Sequence, residues 1–215
     1  MKSRRRTVAL AGATGLVGQA LLQGLLADDT VDAVHALGRR PSALTHPKLH
    51  WQVVDFAKPL SLPRIDEVYL ALGTTIKVAG SQDAFRAVDH DANLAVAKAA
   101  LAAGARQAGL VSAMGADARS SVFYSRVKGE TEDALASLPF DGVVIARPSM
   151  LVGDRTQLGQ PERRGEKIAE SIGRVLGPLV PANYRPIDSV KVANALLRRV
   201  PGARGKVVVP SGTMQ

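Results

Sequence analysis

The fold is decided by the stretch Val8-Ala9-Leu10-Ala11-Gly12-Ala13-Thr14-Gly15-Leu16-Val17-Gly18, in which an apolar run passes into a helical run through GxxGxxG. Gly12 permits a tight turn, Gly15 lets the backbone approach an anion, and Gly18 allows close packing of helix on strand. Free amides and the helix dipole favour a phosphate there. The alternative is a glycine turn without a ligand. The candidate phosphate-binding residues are Gly12, Ala13, Thr14, Gly15, Leu16, Val17 and Gly18.

Short apolar runs alternate with helical runs along the chain, which is typical of βαβ units and a parallel sheet. The predicted strands are residues 7–11, 33–37, 50–54, 67–71, 107–111, 143–146 and 206–209. The predicted helices are residues 15–26, 89–103, 123–138 and 166–176, with another after Asp188. The predicted fold class is therefore α/β, a Rossmann-type doubly wound and mostly parallel sheet.

The length of 215 residues suits one α/β domain. We expect a single domain over residues 1–215, with a core over 6–148. Beyond Pro148 the chain becomes rich in glycine, proline and arginine and is too short for an independent domain. Residues 149–215 are therefore expected to form a short extension on the substrate side.

The amino-acid composition limits the kinds of catalytic and binding site that the chain can form. The chain has no cysteine, which excludes disulfides, thiolate ligands and cysteine nucleophiles. Its four histidines show no metal-ligand spacing, so we predict no metal. The net charge of +9 suits a nucleic acid, an anionic membrane surface or a phosphorylated ligand. The basic residues are dispersed with little aromatic interleaving, which favours solvated surface charge, and we expect no nucleic-acid partner.

The amino-terminal segment superficially resembles a signal peptide or membrane span, because Met1 to Arg6 is basic and residues 8–27 carry no charge. Recurring glycines, together with Gln19 and Gln23, interrupt it. The strand, turn and helix interpretation fits better, so we expect no membrane insertion and a cytoplasmic location.

Three further loops point to a dinucleotide. The second strand ends in Gly38-Arg39-Arg40, where an NAD site usually carries an acid for the ribose 2′-hydroxyl. Guanidinium groups suit the extra phosphate of NADP(H), so Arg39 and Arg40 favour that cofactor, although a surface arginine pair is the alternative. Asp55-Phe56 is a weaker signal for the adenine. Gly73 and Thr74 follow the fourth strand, where the backbone would approach a ribose.

The fifth strand ends at Ser112, and Tyr124 and Lys128 read YxxxK on a predicted helix. A spacing of four puts both side chains on one face. A tyrosine needs a neighbouring cation to exchange a proton near neutrality, and Lys128 supplies one. Ser112 is placed to hydrogen-bond a substrate oxygen. A surface pair is the alternative, but the preceding glycine fingerprint favours a catalytic set.

With these motifs the sequence resembles the short-chain dehydrogenase/reductase superfamily on its atypical branch, and within it the Tat-interactive protein family of NADPH-binding proteins. The stretches that carry the likeness are residues 12–18, 72–75, 88–91, 124–130 and 146–155. The resemblance implies catalytic roles for Ser112, Tyr124 and Lys128 and puts Pro148 beside the nicotinamide. One departure is Asp89, where related reductases often carry an asparagine that supports a proton relay through the lysine.

Two functional hypotheses follow. The first is an NADP(H)-dependent oxidoreductase that transfers a hydride to or from a small carbonyl or alcohol. The second is an NADPH-binding redox sensor or regulatory protein with little catalysis. A nucleotide-sugar epimerase needs a larger carboxy-terminal domain, and no groove-reading motif supports a nucleic-acid binder.

Overall fold

The computed structural model describes residues 5–152 and 181–215. Its strands, in chain order, are β1 (Arg6–Ala11), β2 (Val31–Gly38), β3 (Leu49–Val53), β4 (Glu67–Leu70), β5 (Gln107–Val111), β6 (Gly142–Arg147), β7 (Leu151–Val152), β8 (Ile187–Asp188) and β9 (Gly205–Pro210). Seven of them form one sheet in the order β3-β2-β1-β4-β5-β6-β9, and β7 pairs with β8 separately. Every pair in both sheets is parallel.

This topology confirms the predicted α/β fold. All seven predicted strands are present, with shifts of one or two residues at most ends. The apolar alternation predicted these strands because a parallel sheet with both faces covered needs continuous apolar runs. Strand β2 begins at Val31, earlier than predicted, and ends at Gly38 beside the arginine pair. The pair β7–β8 was not predicted, since two residues carry no detectable periodicity.

The helices are α1 (Leu16–Ala27), α2 (Ile76–Ala79), α3 (Gln82–Arg86), a π-helical turn (Ala87–Ala92), α4 (Asn93–Ala102), α5 (Phe123–Ala136) and α6 (Ser189–Arg199). Short 3₁₀ turns cover Ala182–Tyr184 and Ser211–Thr213. Helices α1 and α6 pack their apolar residues on one face of the sheet. Helices α4 and α5 cover the other face, so the sheet is doubly wound. The predicted helix at 166–176 lies outside the described residues.

One predicted helix start was wrong. We expected a helix to begin at Asp89, but helical structure begins at Gln82, after Ser81, whose hydroxyl caps it by accepting from the Ala84 amide at 3.1 Å. Asp89 lies inside the π-helical turn with only 1% of its surface exposed. The acid is therefore not a cap, and its burial calls for a partner elsewhere. None of the helices in the described ranges combines the length and hydropathy that a membrane span requires.

Candidate dinucleotide site and catalytic residues

A cleft of about 670 Å³ opens at the carboxyl ends of the first four strands. Strands β1 and β4 are neighbours, while the chain runs outward from β1 to β2 and β3, so the strand order reverses at this point. Ligands of doubly wound sheets bind at such a switch point. The predicted residues that line the cleft are Gly12, Thr14, Gly15, Arg39, Arg40, Asp55, Phe56 and Gly73.

The glycine turn fits a phosphate group. Gly12 has φ of +88°, and a Cβ there would lie 2.3 Å from the Ala71 carbonyl oxygen. A Cβ on Gly18 would lie 1.9 Å from the Gly12 oxygen, so this glycine lets the helix meet the turn. Gly15 differs, because its Cβ would contact only the Gly12 oxygen, at 3.5 Å, and would otherwise stand in open space. A side chain at Gly15 would therefore occupy the cleft without disturbing the backbone.

Other residues predicted to bind the cofactor do not line this cleft. Ala13 and Val17 are buried in the core below the turn, and Leu16 begins helix α1. Thr74 donates its amide to the Asp89 carboxylate at 2.9 Å. Pro148 is buried, and its carbonyl accepts from the Met114 amide at 2.8 Å. Direct contacts of these residues with a ligand stay a prediction.

Arg39 and Arg40 differ from most other arginines. Arg6, Arg86, Arg106 and Arg147 each bind a carboxylate. The Arg39 and Arg40 side chains contact no carboxylate within residues 5–152 and 181–215, and both line the cleft. Two guanidinium groups that pair with no carboxylate of the described residues give this end of the cleft a positive charge.

The loop after β3 is ordered by Asp55. Its Oδ1 accepts from the Ala57 amide at 3.0 Å, and its other oxygen lies 3.7 Å from the Lys58 ammonium. These contacts hold the turn that carries Phe56 into the wall of the cleft. The carboxylate is half exposed and keeps room for a further donor, such as an adenine amino group.

At the other end of the cleft lies a buried ion pair between Lys128 and Asp89. The Lys128 Nζ is 2.7 Å from Asp89 Oδ1. Burial disfavours the ammonium, but the Asp89 carboxylate, with Tyr124 and Glu132, outweighs it and raises the pKa of Lys128. A Cβ on Gly73 would lie 3.6 Å from Asp89 Oδ1 and 3.9 Å from Lys128 Nζ. The pair therefore lies directly behind the glycine that lines the cleft.

The π-helical turn positions this pair. The Asn93 side-chain amide donates to the Asp89 carbonyl at 3.0 Å and to the Leu72 carbonyl at 3.1 Å. The Thr131 hydroxyl, from α5, lies 3.3 Å from the same Asp89 carbonyl. These contacts connect the turn, the β4 loop and α5 around one carboxylate. A π-helical turn inside a helix is often found at a functional site.

Tyr124 lies one turn before Lys128 on α5, as the YxxxK spacing predicted. The Lys128 Nζ is 6.0 Å from the centre of the Tyr124 ring. The Phe85 ring packs against the Tyr124 ring, with 5.5 Å between the two ring centres. The phenol is half-buried, held by an aromatic neighbour and accompanied by a cation. Neither Tyr124 nor Lys128 lines the cleft itself. Lys128 lies near the cleft-lining Gly73, and Tyr124 is placed by its contact with Lys128.

Ser112 is engaged in a way that its sequence position did not reveal. Its hydroxyl donates to Glu132 Oε1 at 2.5 Å, and Glu132 is fully buried. Arg147 holds the same carboxylate, with Nη2 at 2.6 Å from Oε2 and Nε at 3.0 Å from Oε1. A carboxylate paired with a guanidinium accepts and does not donate. Ser112 therefore has lone pairs to offer a substrate or the Tyr124 hydroxyl, but its own proton is taken.

Sequence reasoning missed two groups of residues. Glu132 continues the i, i+4, i+8 face that starts with Tyr124 and Lys128, and that spacing could have identified it. The second group, from the π-helical turn and α4, lines the cleft opposite the glycine turn and includes Ala87, Val88, Asp91, Ala92 and Ala95. The three alanines leave space in the cleft, and an alanine-rich helix gives no signal of that. Val88 and Asp91 belong to a stretch that carries the family resemblance, but they were not predicted as site residues.

The strand order and the cleft at the switch point define a Rossmann-type α/β protein. A model of an NAD(P)H-binding family matches residues 12–174, and the chain belongs to that family. A relative from Emericella nidulans, named "Protein fmp52, mitochondrial", is 34% identical over 96% of this chain and 91% of the relative. The resemblance to an atypical member of the superfamily is thereby confirmed.

Solved structures agree on the fold. An oxidoreductase of the short-chain dehydrogenase/reductase family from Burkholderia thailandensis has a TM-score of 0.69 at 22% identity, covering 98% of this chain and 93% of that chain. The Bordetella bronchiseptica enzyme WbmF, solved in complex with NAD⁺, has a TM-score of 0.69 at 17% identity and covers 100% of this chain and 77% of its own. At these identities the likeness concerns the fold alone.

The names of the relatives overturn one expectation. Proteins from Emericella nidulans, Candida albicans and Candida glabrata are all named as mitochondrial. The cytoplasmic location expected from the sequence is therefore contradicted. That expectation came from the absence of a recognisable export signal, which does not distinguish between intracellular compartments.

Proposed function

We propose that this protein is an NADPH-dependent oxidoreductase that transfers a hydride to or from a small carbonyl or alcohol substrate. The observation that carries the proposal is the pair Arg39 and Arg40, whose side chains line the cleft without a carboxylate partner among the described residues. A 2′-phosphate is the group by which NADP differs from NAD, and arginine is suited to bind it.

The remaining lining residues fit the rest of that cofactor. The amide of Thr14 and the first amides of helix α1, those of Leu16 and Val17, would bind the pyrophosphate. The Gly15 amide already donates to the Gly12 carbonyl at 2.9 Å. Asp55 and Phe56 would contact the adenine. Gly73 would let a ribose approach Lys128. Bound NADPH would supply the hydride, and the chain's own residues would supply the proton and the orientation.

Proton exchange falls to Tyr124 in this proposal. The ammonium of Lys128 stabilises negative charge that develops on the phenol oxygen when the proton leaves for the substrate. Ser112, with its hydroxyl donated to Glu132, would orient the reacting groups as an acceptor. In this proposal Ser112 accepts from the Tyr124 hydroxyl or a substrate alcohol.

Cofactor titration tests the proposal. NADPH is expected to bind more tightly than NADH, and Arg39→Ala with Arg40→Ala is expected to remove most of that preference, about 10- to 100-fold, because charge-assisted contacts are lost. Arg119→Ala is the control, since Arg119 is 94% exposed in its side chain and does not line the cleft. Equal affinity of the wild type for the two cofactors would overturn the assignment.

The phosphate turn has its own test. Gly15→Val is expected to abolish NADPH binding while the circular dichroism spectrum and melting temperature stay close to wild type, because the added methyls would enter the cleft. A folded Gly15→Val variant with unchanged affinity would refute the assignment of the pyrophosphate to this turn.

A second candidate function is an NADPH-binding regulatory protein with little catalysis. The observation that favours it is that two of the three presumed catalytic groups are already engaged: Lys128 with Asp89 and Ser112 with Glu132. Turnover assays with aldehydes, ketones and quinones separate the two candidates. Tight NADPH binding with no turnover across the screen would favour the regulatory function.

A further inference from the structure

We propose that Trp51 is a positioning residue for cofactor specificity, which holds the arginine pair where a 2′-phosphate would bind. This inference rests on the proposed NADPH function. Trp51 is the only tryptophan in the chain. It lies on β3, which pairs with β2, and the arginine pair directly follows the end of β2 at Gly38. It does not line the cleft, so its effect on a ligand would pass through other residues.

The contact that carries the inference is a hydrogen bond from the indole. Trp51 Nε1 donates to the backbone carbonyl of Arg40 at 2.9 Å. The backbone before this point is held by the strand, where the Val54 amide donates to the Gly38 carbonyl at 2.9 Å. After Gly38 the chain leaves regular structure until β3 begins at Leu49. The indole therefore fixes the arginine pair just beyond the end of the strand.

The neighbouring glycine is shaped for this contact. A Cβ on Gly38 would lie 2.5 Å from Trp51 Cζ2 and 3.1 Å from Cε2. The indole thus crosses the end of β2 in direct contact with the Gly38 backbone, and its inner side packs against the apolar core. A ring supported from below and fitted against a glycine has little freedom to move.

Fixing the backbone matters because no carboxylate of the described residues holds either guanidinium group in place. Neither Arg39 nor Arg40 bonds a carboxylate within the described ranges. Long side chains lose conformational entropy when they bind an anion, and a loop that must also be ordered adds to that loss. The Trp51 contact would order the loop before the ligand binds. It would therefore raise the affinity for NADPH, which engages the arginines, and leave the affinity for NADH unchanged.

The test is Trp51→Phe, which keeps an aromatic ring beside Gly38 and removes only the N–H donor. By calorimetric titration, the affinity for NADPH should fall about three- to tenfold, the effect of one hydrogen bond, while the affinity for NADH should change less than twofold. The matched control is Gln52→Met. Gln52, the next residue on β3, also donates to a loop carbonyl, that of Ser61 at 3.5 Å, which lies outside the cleft.

A double-mutant cycle tests whether the effect passes through the arginines. In the background that carries Arg39→Ala and Arg40→Ala, Trp51→Phe should no longer change NADPH affinity, because coupled residues are not additive. An equal loss for both cofactors, or an undiminished loss in that background, would make Trp51 a purely structural residue and overturn the inference.

The wild-type protein provides a measurement that does not depend on the folding of a variant. Adenosine 2′-monophosphate should change the emission of the single tryptophan, whereas adenosine 5′-monophosphate at the same concentration should not. No response to either nucleotide would contradict the inference. If the wild type binds NADPH and NADH equally, the proposed function fails; if it prefers NADPH but Trp51→Phe keeps that preference, only the role of Trp51 fails.

Discussion

The two ends of the central sheet each carry a tyrosine, a cation and a carboxylate, and they differ in what they leave accessible. At the amino end, Arg6 donates to Glu67 and to Asp28, both at 2.5 Å, and the Tyr69 hydroxyl donates to Glu67 at 3.1 Å. At the carboxyl end, Lys128 pairs with Asp89, and Tyr124 is half-buried beside them.

The amino-terminal cluster is closed. Tyr69 is fully buried, and burial, together with the Glu67 carboxylate, raises its pKa far above the ordinary range of a phenol. Its hydroxyl and the Arg6 guanidinium both donate to Glu67 Oε2, and none of the three residues lines the cleft of the candidate site. At the carboxyl end, the Asp89 carboxylate and the Lys128 ammonium lie near Gly73, which lines a cleft. The comparison teaches that access to a ligand, more than the types of residue present, separates a stabilising cluster from a candidate site.

Exchanging each tyrosine for phenylalanine gives the largest contrast. Tyr124→Phe is expected to lower turnover about 10²- to 10⁴-fold, the usual contribution of general acid–base catalysis, without weakening NADPH binding. Tyr69→Phe should leave turnover unchanged and lower the free energy of unfolding by about 1 kcal/mol, because it loses one buried hydrogen bond. Steady-state kinetics and urea unfolding of both variants provide the measurements. A loss of turnover below about tenfold in Tyr124→Phe would argue against a catalytic tyrosine.

Removing the cation of the closed cluster tests its structural role. Arg6→Met leaves the Glu67 carboxylate buried without its partner, and we expect the free energy of unfolding to fall by about 3 to 5 kcal/mol. Arg5→Met is the control, because Arg5 forms an exposed ion pair with Asp32 and should cost less than about 1 kcal/mol. If the two variants unfold at the same denaturant concentration, the amino-terminal cluster is not a stabilising one.

At the carboxyl end of the sheet, the Asp89 carboxylate raises the pKa of the neighbouring Lys128. Asp89→Asn keeps an acceptor for the Thr74 amide but removes the charge that raises the pKa of Lys128, so the ammonium should lose its proton at lower pH than in the wild type. The stability cost is expected to be about 3 to 5 kcal/mol, because the Lys128 ammonium is left buried without its partner. NADPH affinity measured against pH should weaken earlier on the alkaline side. Asp133→Asn, on the exposed side of α5, is the control and should leave this profile unchanged.

The smallest expected effect concerns a histidine in the sheet between the two ends. The ring of His35 stacks on that of His50 at 4.9 Å, and burial, with the His50 charge, lowers the pKa of His35. The unfolded chain therefore takes up this proton first, near the ordinary value of about 6.5, and stability should decrease as the pH falls through that value. In unfolding experiments, His35→Gln should reduce the slope of the free energy of unfolding against pH, whereas His46→Gln should not. An unchanged slope would exclude His35 as its source.

Local pattern was sufficient for much of the fold and part of the site. The glycine spacing from Gly12 to Gly18 and the YxxxK pair depend on residues within two helical turns, so their geometry follows from the chain's own periodicity. The arginine pair was located because it directly follows a strand end. By contrast, the helix start at Gln82 was missed, because the prediction followed the alanine-rich run and the capping residue, Ser81, lies before that run.

The partners of the polar groups could not be predicted. The bond from Ser112 to Glu132, the pair of Asp89 with Lys128 and the contact of Trp51 with Arg40 all join separate elements. For each of these residues, the chain contains several other groups that could chemically serve as its partner. Their choice depends on the register of the sheet and on which helix face is buried.

The sequence by itself determined that this chain is a doubly wound α/β protein with a tight glycine turn between its first strand and first helix, because backbone sterics at glycine and the burial of apolar runs act over short distances. Only the tertiary structure decided which charged side chains form ion pairs and which line the cleft. Arg6 and Arg39 have the same chemistry, but one contacts two carboxylates and the other lines a cleft. The physical reason is that charges pair through space, and the positions that bring them together are set by packing rather than by neighbours along the chain.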